Sequence, residues 1–181
     1  ADSALKEHNP LNKVPVLITD DKTYLYDSRV IVEYLDRHHN AEKLIPPLNT
    51  KTNERWEVLT LQALADGMMD AAILKLTEEN VRHEHNRSIK WTQRQSRIIE
   101  AALDRLESHS VNFYHTKTNI GLIAVYSALS YLDYRYGAKS WRGTHPRLAT
   151  WYERVSEDPV YMATIPVESA TLPDNLEQLN E

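Results

Sequence analysis

A single hairpin is the one convincing β signal in this chain, and it constrains the fold because it cannot stand alone. Val14-Pro15-Val16-Leu17-Ile18-Thr19 reads as a strand, Asp20-Asp21-Lys22 as turn chemistry, and Thr23-Tyr24-Leu25-Tyr26 as a second short strand. Two strands are marginal in water, so further strands or a helix must cover them. Asp27-Ser28 ends the second strand and is placed to cap a helix over Arg29 to His38, whose apolar Val30, Ile31, Tyr34 and Leu35 share one face. Before the hairpin, residues 1–8 allow one or two helical turns. Asn9-Pro10 breaks that pattern, since a proline pushes its predecessor out of the α region.

Beyond the hairpin the chain reads as helix to about residue 157. The 181 residues include only 4 glycines among many helix formers, which argues for a mostly α protein. A stretch over residues 40–50 containing Pro46-Pro47 is the natural domain boundary. Next comes a long helix from Lys51 to about Asn80, apolar almost all round between Val58 and Leu76, which must be covered on more than one side. A second runs from about Asn86 to Ser108 with Trp91, Ile98, Ala102 and Leu106 on its inner stripe. A third, Thr118 to Tyr136, reads as the central buried helix. His145-Pro146 opens a fourth, with Leu148, Trp151, Tyr152 and Val155 inward, and Asp158-Pro159 ends it. The tail from Glu168 is polar enough to fray.

Composition removes several function classes. There are no cysteines, so these residues offer no disulfide, no thiolate metal site and no thiol nucleophile. A net charge of −5 with dispersed basic residues argues against nucleic-acid partners. No apolar run approaches the ~18 residues of a membrane span, and Ala-Asp-Ser-Ala-Leu-Lys-Glu-His is not a signal peptide. The expected setting is the cytoplasm, with no membrane partner.

Three separated segments together resemble the glutathione transferase family, of the soluble bacterial or fungal type. The first is Asn9-Pro10-Leu11-Asn12-Lys13-Val14-Pro15-Val16-Leu17 with Leu25-Tyr26-Asp27-Ser28-Arg29-Val30-Ile31. The second is Trp91 with Arg94, Ile98, Ala102, Leu103, Asp104 and Leu106. The third is His145-Pro146-Arg147-Leu148 with Trp151-Tyr152, Pro159 and Thr164-Ile165-Pro166. The resemblance implies a mostly α protein: a partial thioredoxin-like α/β domain (a hairpin plus a helix) over residues 1–40, a linker over 41–50, an all-helical domain over 51–167 and a polar tail over 168–181. It also implies that a βαβ unit of the family should precede residue 1, and with it the Tyr, Ser or Cys that activates the glutathione thiol. The family's usual Gly in the first loop is Asn12 here, tolerable because Asn accepts positive φ. The best match to the box that opens the central helix is Thr116 with Asn119.

The resemblance implies a cis Val14-Pro15 peptide whose turn presents the Val14 backbone to glutathione's cysteinyl unit, as an added strand would; otherwise Pro15 simply opens an edge strand. Asp27 and Ser28 would hold the γ-glutamyl end, consistent with the anion affinity of a helix N-terminus; a plain N-cap is the alternative. Lys13 would reach the glycyl carboxylate, or be a solvated surface lysine. Asp66, four residues before Asp70 on one helix face, is a candidate to reach the other subunit's glutathione across a homodimer, or to form a salt bridge within the helical domain. Met68, Met69, Leu74 and Tyr126 are either walls of an apolar co-substrate pocket or core. His38-His39 and His83-Glu84-His85 lack the spacing for a metal site, so no metal is expected. The function implied is binding of glutathione and conjugation of its thiol to a small apolar electrophile. The rivals are a non-catalytic glutathione- or ligand-binding scaffold and a helical bundle with an accessory hairpin.

Overall fold

The computed structural model describes residues 3–48 and 52–166, so the tail from Glu168 and the Lys51 end of the long helix lie outside the described residues. Contacts divide the chain into two compact units, 1–55 and 56–181.

The first unit contains helix α1 (Ser3–His8), strands β1 (Leu17–Ile18) and β2 (Tyr24–Leu25), and helix α2 (Ser28–His38). The strands are antiparallel, pairing Leu17 with Leu25 and Ile18 with Tyr24. They are shorter than expected, because polar side chains take over the hydrogen bonding at once. In the turn the Thr19 hydroxyl accepts from the Thr23 amide at 3.0 Å and bonds the Asp21 carboxylate, while Lys22 adopts φ 67°. At the other end Val14–Pro15 is cis and Asn12 sits at φ 51°, within the left-handed region that Asn tolerates.

Polar clamps also tie down the segment after α2. The buried Asp36 carboxylate accepts from the amides of Leu44 (2.7 Å) and Ile45 (3.2 Å). Lys43 donates to the Asp36 carbonyl at 2.7 Å, and Arg55 joins the Pro46 carbonyl to Glu33, each at 2.8 Å.

The second unit is helical: α3 (Glu54–Leu76), α4 (Ile89–Phe113), α5 (Ile120–Tyr136), α6 (Pro146–Val155) and α7 (Pro159–Met162). As expected, α5 is the central helix. Val125, Ala128 and Leu129 are wholly buried, and Tyr126 stacks on Tyr152 with ring centroids 4.9 Å apart. Helices α3 and α5 approach so closely at Gly121 that an added Cβ would lie 2.7 Å from the Val58 carbonyl oxygen. Helix α6 docks through its N-terminus. The Glu107 carboxylate accepts from the amides of Arg147 (3.2 Å) and Leu148 (2.8 Å), occupying donors that the helix leaves unpaired. Asp133 ties α5 to the segment before α6, accepting from Trp141 Nε1 at 2.8 Å and Arg142 Nη2 at 2.5 Å. The Tyr136 hydroxyl donates to the Ala72 carbonyl at 2.7 Å; burial, reinforced by the charge of Glu79, pushes its pKa up to about 12.

Four expectations are corrected. The opening of α5 is not a box begun by Thr116. Asn119 is itself the N-cap, accepting from the Leu122 amide at 3.1 Å, and the residue three further on is a buried leucine that cannot reciprocate. The inner stripe of α4 is turned away from Trp91 and Ile98, each 40% exposed, toward Gln95, Leu103, Ser110 and Phe113. Buried polar residues hid this from an apolar criterion. Helix α4 also runs five residues past Ser108, because Phe113 packs edge-on against Trp151 and Ser110 bonds back to the Glu107 carbonyl. Finally, Asp158-Pro159 begins an element rather than ending one: α6 stops at Val155, and Asp158 caps α7 through the Val160 amide.

Helix α3 buries a stripe of Val58, Gln62, Ala65, Met68 and Ala72, and leaves Trp56, Ile73 and Leu74 exposed. Within the second unit, then, α3 is covered along one side.

Candidate functional site

Five of the six residues expected at the site belong to the first unit, and the hairpin brings them to one end. Residues 13–15 lie just before β1 and Asp27–Ser28 just after β2, so both stretches leave the hairpin at the end opposite the Thr19–Thr23 turn. Lys13 and Pro15 flank Val14, and Asp27 precedes Ser28. Residues 13–15 are exposed, Val14 by 80%.

The two sides of this end offer complementary groups. Val14 is followed by a proline, and its own amide makes no hydrogen bond among the described residues. Its backbone is therefore open to an extended peptide. At the same end, Asp27 is the N-cap of α2, its Oδ1 accepting from the Arg29 amide at 3.0 Å and its carbonyl from the Ile31 amide at 3.1 Å. Oδ2 makes no hydrogen bond among the described residues. Ser28 is the first residue of the helix, so its amide has no helical acceptor, and its hydroxyl makes no hydrogen bond among the described residues. An unpaired amide and hydroxyl at the positive end of an eleven-residue helix are groups that favour an anion. The Lys13 ammonium is exposed, has no partner among the described residues and adds a positive charge.

Asp66 is carried by the second unit, half-buried on α3. The expected pocket walls disperse. Met68 and Tyr126 are core residues, 1% and 2% exposed, in the apolar cluster of the second unit, and Met69 packs against the same cluster. Leu74 instead lines a surface cavity of about 370 Å³ with Thr77, Glu78, Arg82, Ser88 and Trp91, where α3 gives way to α4.

Among the described residues, one group places three metal-type ligand atoms within 4.8 Å: Glu100, Asp104 and His145. Its geometry is that of a helix dock. His145 Nε2 lies 3.2 Å from Asp104 Oδ1, and Nδ1 lies 3.1 Å from the Trp141 carbonyl.

A residue that sequence reasoning passed over stands behind the Val14 loop. Asn9 reads as a helix breaker, yet it is 2% exposed; Nδ2 donates to the Lys13 carbonyl at 2.7 Å and Oδ1 accepts from the Leu11 amide at 3.0 Å. The available signal was an Asn before Pro, four residues ahead of the exposed turn, since Asn side chains bond nearby backbone and so organise loops.

A thioredoxin-like hairpin and helix with an open peptide edge, joined in sequence to an all-helical unit, define a glutathione transferase class of architecture. Residues 1–38 match the glutathione S-transferase N-terminal domain family. Over 170 residues the chain is 34% identical to the uncharacterised GST-like protein YibF of Escherichia coli, covering 92% of this chain and 81% of YibF. A glutathione transferase family member from Pseudomonas fluorescens Pf-5, solved with bound glutathione, is 41% identical with a TM-score of 0.86, covering 92% of this chain and 80% of that one. The same protein has been solved with S-(propanoic acid)-glutathione. A glutathione S-transferase from Methylobacillus flagellatus KT, solved with glutathione, is 34% identical with a TM-score of 0.83, covering 90% of this chain and 80% of that one. The chain belongs to the glutathione transferase family. No helix among its described residues is long and apolar enough to cross a membrane.

Proposed function

We propose that this protein binds glutathione at the open end of the hairpin and conjugates its thiol to a small apolar electrophile. The observation that carries the reading is that, at the same end of the hairpin, the Val14 amide and the Ser28 hydroxyl make no hydrogen bond among the described residues. Val14 pairs with the cysteinyl unit as an extra strand would. Ser28 and the α2 N-terminus hold the γ-glutamyl carboxylate, Asp27 Oδ2 takes the neighbouring ammonium, and Lys13 pairs with the glycyl carboxylate. The bound thiol loses its proton, and the thiolate sulfur forms the new C–S bond while the electrophile's leaving group departs. We assign no thiol activator among residues 1–181. Ligands bound by the Pseudomonas relative, glutathione and an S-substituted glutathione, support both halves of the reading.

We also propose a homodimer, supported by the apolar side chains that α3 leaves exposed, with Asp66 directed to the partner's glutathione. The proposed setting is cytoplasmic detoxification, without membrane, nucleic-acid or metal partners. The domain reading, with a linker over 41–50 and helices over 51–167, is retained as part of this proposal.

Calorimetric titration with glutathione and turnover of a chromogenic electrophile test the function together. Binding with turnover supports the reading. Binding without turnover favours the non-catalytic scaffold, and no binding points to a bundle that has the fold alone.

A further inference from the structure

Resting on the glutathione reading above, we propose that Asn9 is a positioning residue for the ligand, aiming the Val14 amide through the peptide plane that Val14 shares with Lys13. The peptide bond between Lys13 and Val14 is trans, since the cis bonds are Val14–Pro15 and Tyr26–Asp27. In a planar trans peptide the carbonyl oxygen and the amide hydrogen point in opposite directions. Whatever grips the Lys13 carbonyl therefore sets the direction of the Val14 N–H.

Asn9 supplies that grip. Its Nδ2 donates to the Lys13 carbonyl at 2.7 Å, while Oδ1 holds the Leu11 amide at 3.0 Å. Its backbone is held as well: its amide donates to the Leu5 carbonyl at 2.8 Å, and its carbonyl accepts from the Asn12 amide at 2.9 Å. The carboxamide is thus a fixed strut, 2% exposed, beneath a loop in which Pro10, Leu11, Asn12, Lys13 and Val14 are all exposed. Leu11 is 64% exposed, so apolar packing cannot set the conformation of this loop. The strut does that from below, and the Val14 edge is left clear for ligand.

An amide side chain meets the requirement, because one end donates and the other accepts. In Asn9→Asp the acceptor for Leu11 is kept, but a carboxylate oxygen faces the Lys13 carbonyl. The Val14 plane is then free to turn, and the ordering lost must be regained on binding.

The test is a cycle read by calorimetry on the full chain. The ligands are glutathione and its analogue with a trans-alkene in place of the cysteinyl–glycyl amide, which has no cysteinyl carbonyl to accept from the Val14 amide. The original protein should prefer glutathione by about tenfold, the scale of one hydrogen bond. In Asn9→Asp, glutathione affinity should fall by about tenfold and the preference should shrink to about twofold or less. A purely structural role would weaken both ligands equally and leave the preference intact, which would overturn the role of Asn9. If the original protein binds neither ligand, or binds both alike, it is the Val14 reading that fails. Asn9→Ser, too short to reach Lys13, repeats the cycle should Asn9→Asp not fold. In the original protein, glutathione should also shift the Asn9 side-chain amide resonances together with that of Val14. A Val14 shift with Asn9 unmoved would count against the proposal.

Discussion

The two units are held by different forces. In the first, Ile31 and Ile45 are the buried apolar side chains among the described residues, and order comes from polar clamps: Asn9 under the Val14 loop, Thr19 in the turn, Asp27 on α2 and Asp36 on the segment after it. In the second, one apolar cluster runs through α3, α4, α5 and α6, and the clamps at Glu107 and Asp133 sit at helix ends. The contrast follows from what each must do. A surface that pairs with a peptide has to keep backbone exposed, so it cannot be stabilised by burying the same segment, and side-chain hydrogen bonds set its shape instead. A helical unit has no such demand and can be packed densely.

The largest expected effect falls in the helical unit. Leu129→Ala, at a wholly buried position, should cost about 2–5 kcal/mol in urea unfolding. Ile31→Ala, at an 8% exposed site in the sparser unit, should cost less; an equal cost would break the comparison.

Next is Gly121→Ala. A gain in helix propensity of about 1 kcal/mol is opposed by a Cβ 2.7 Å from a backbone carbonyl that cannot swing aside. Overpacking of about 1–3 kcal/mol should win, read as a lower melting temperature. A rise in melting temperature would mean that α3 and α5 are less closely packed than described.

A smaller and more local effect is expected for Asp36→Asn. The carboxylate serves two backbone amides, and the variant turns an NH₂ toward one of them, for a cost of about 1–3 kcal/mol. Amide exchange at Leu44 and Ile45 should quicken while α5 is unchanged.

Acid sharpens the same point. Burial alone would push the Asp36 carboxyl up, but the Leu44 amide, His39 and the Ile45 amide outweigh it and hold it below the usual range. At Glu107 burial is likewise outweighed by the Leu148 amide and by Arg147. A depressed folded pKa gives stability that is present above the unfolded value and lost as pH falls through the folded one. Both clamps should therefore weaken only below pH ~4. Exchange in the segment after α2 should rise first, because the helical unit keeps its apolar core. Simultaneous loss of both units would contradict this.

The same division decided what could be read from the residues. The helical unit was legible because period and breakers announce it: α5 was placed almost to its ends, and the inward set of α6 was found at Leu148, Trp151 and Tyr152. Reading failed where a polar side chain acts structurally. Gln95 and Ser110 are buried on α4 and displaced its stripe, Asn119 took over a cap assigned to Thr116, and Asp158 opened a helix where an end was expected. In the first unit the hairpin, the positive φ of Asn12 and the cap at Asp27 were legible as turn and cap chemistry. Asn9 was not, because its role is defined by a carbonyl four residues on that only the folded loop brings within reach.

The most direct measurement is an amide-resolved titration of the labelled protein with glutathione. Val14 and Ser28 should shift together along one saturating curve, and Ser28→Ala should weaken that curve without altering the amides of α5. If neither Val14 nor Ser28 responds at millimolar glutathione, or if the responding amides lie in the helical unit alone, the open end of the hairpin is not the binding site.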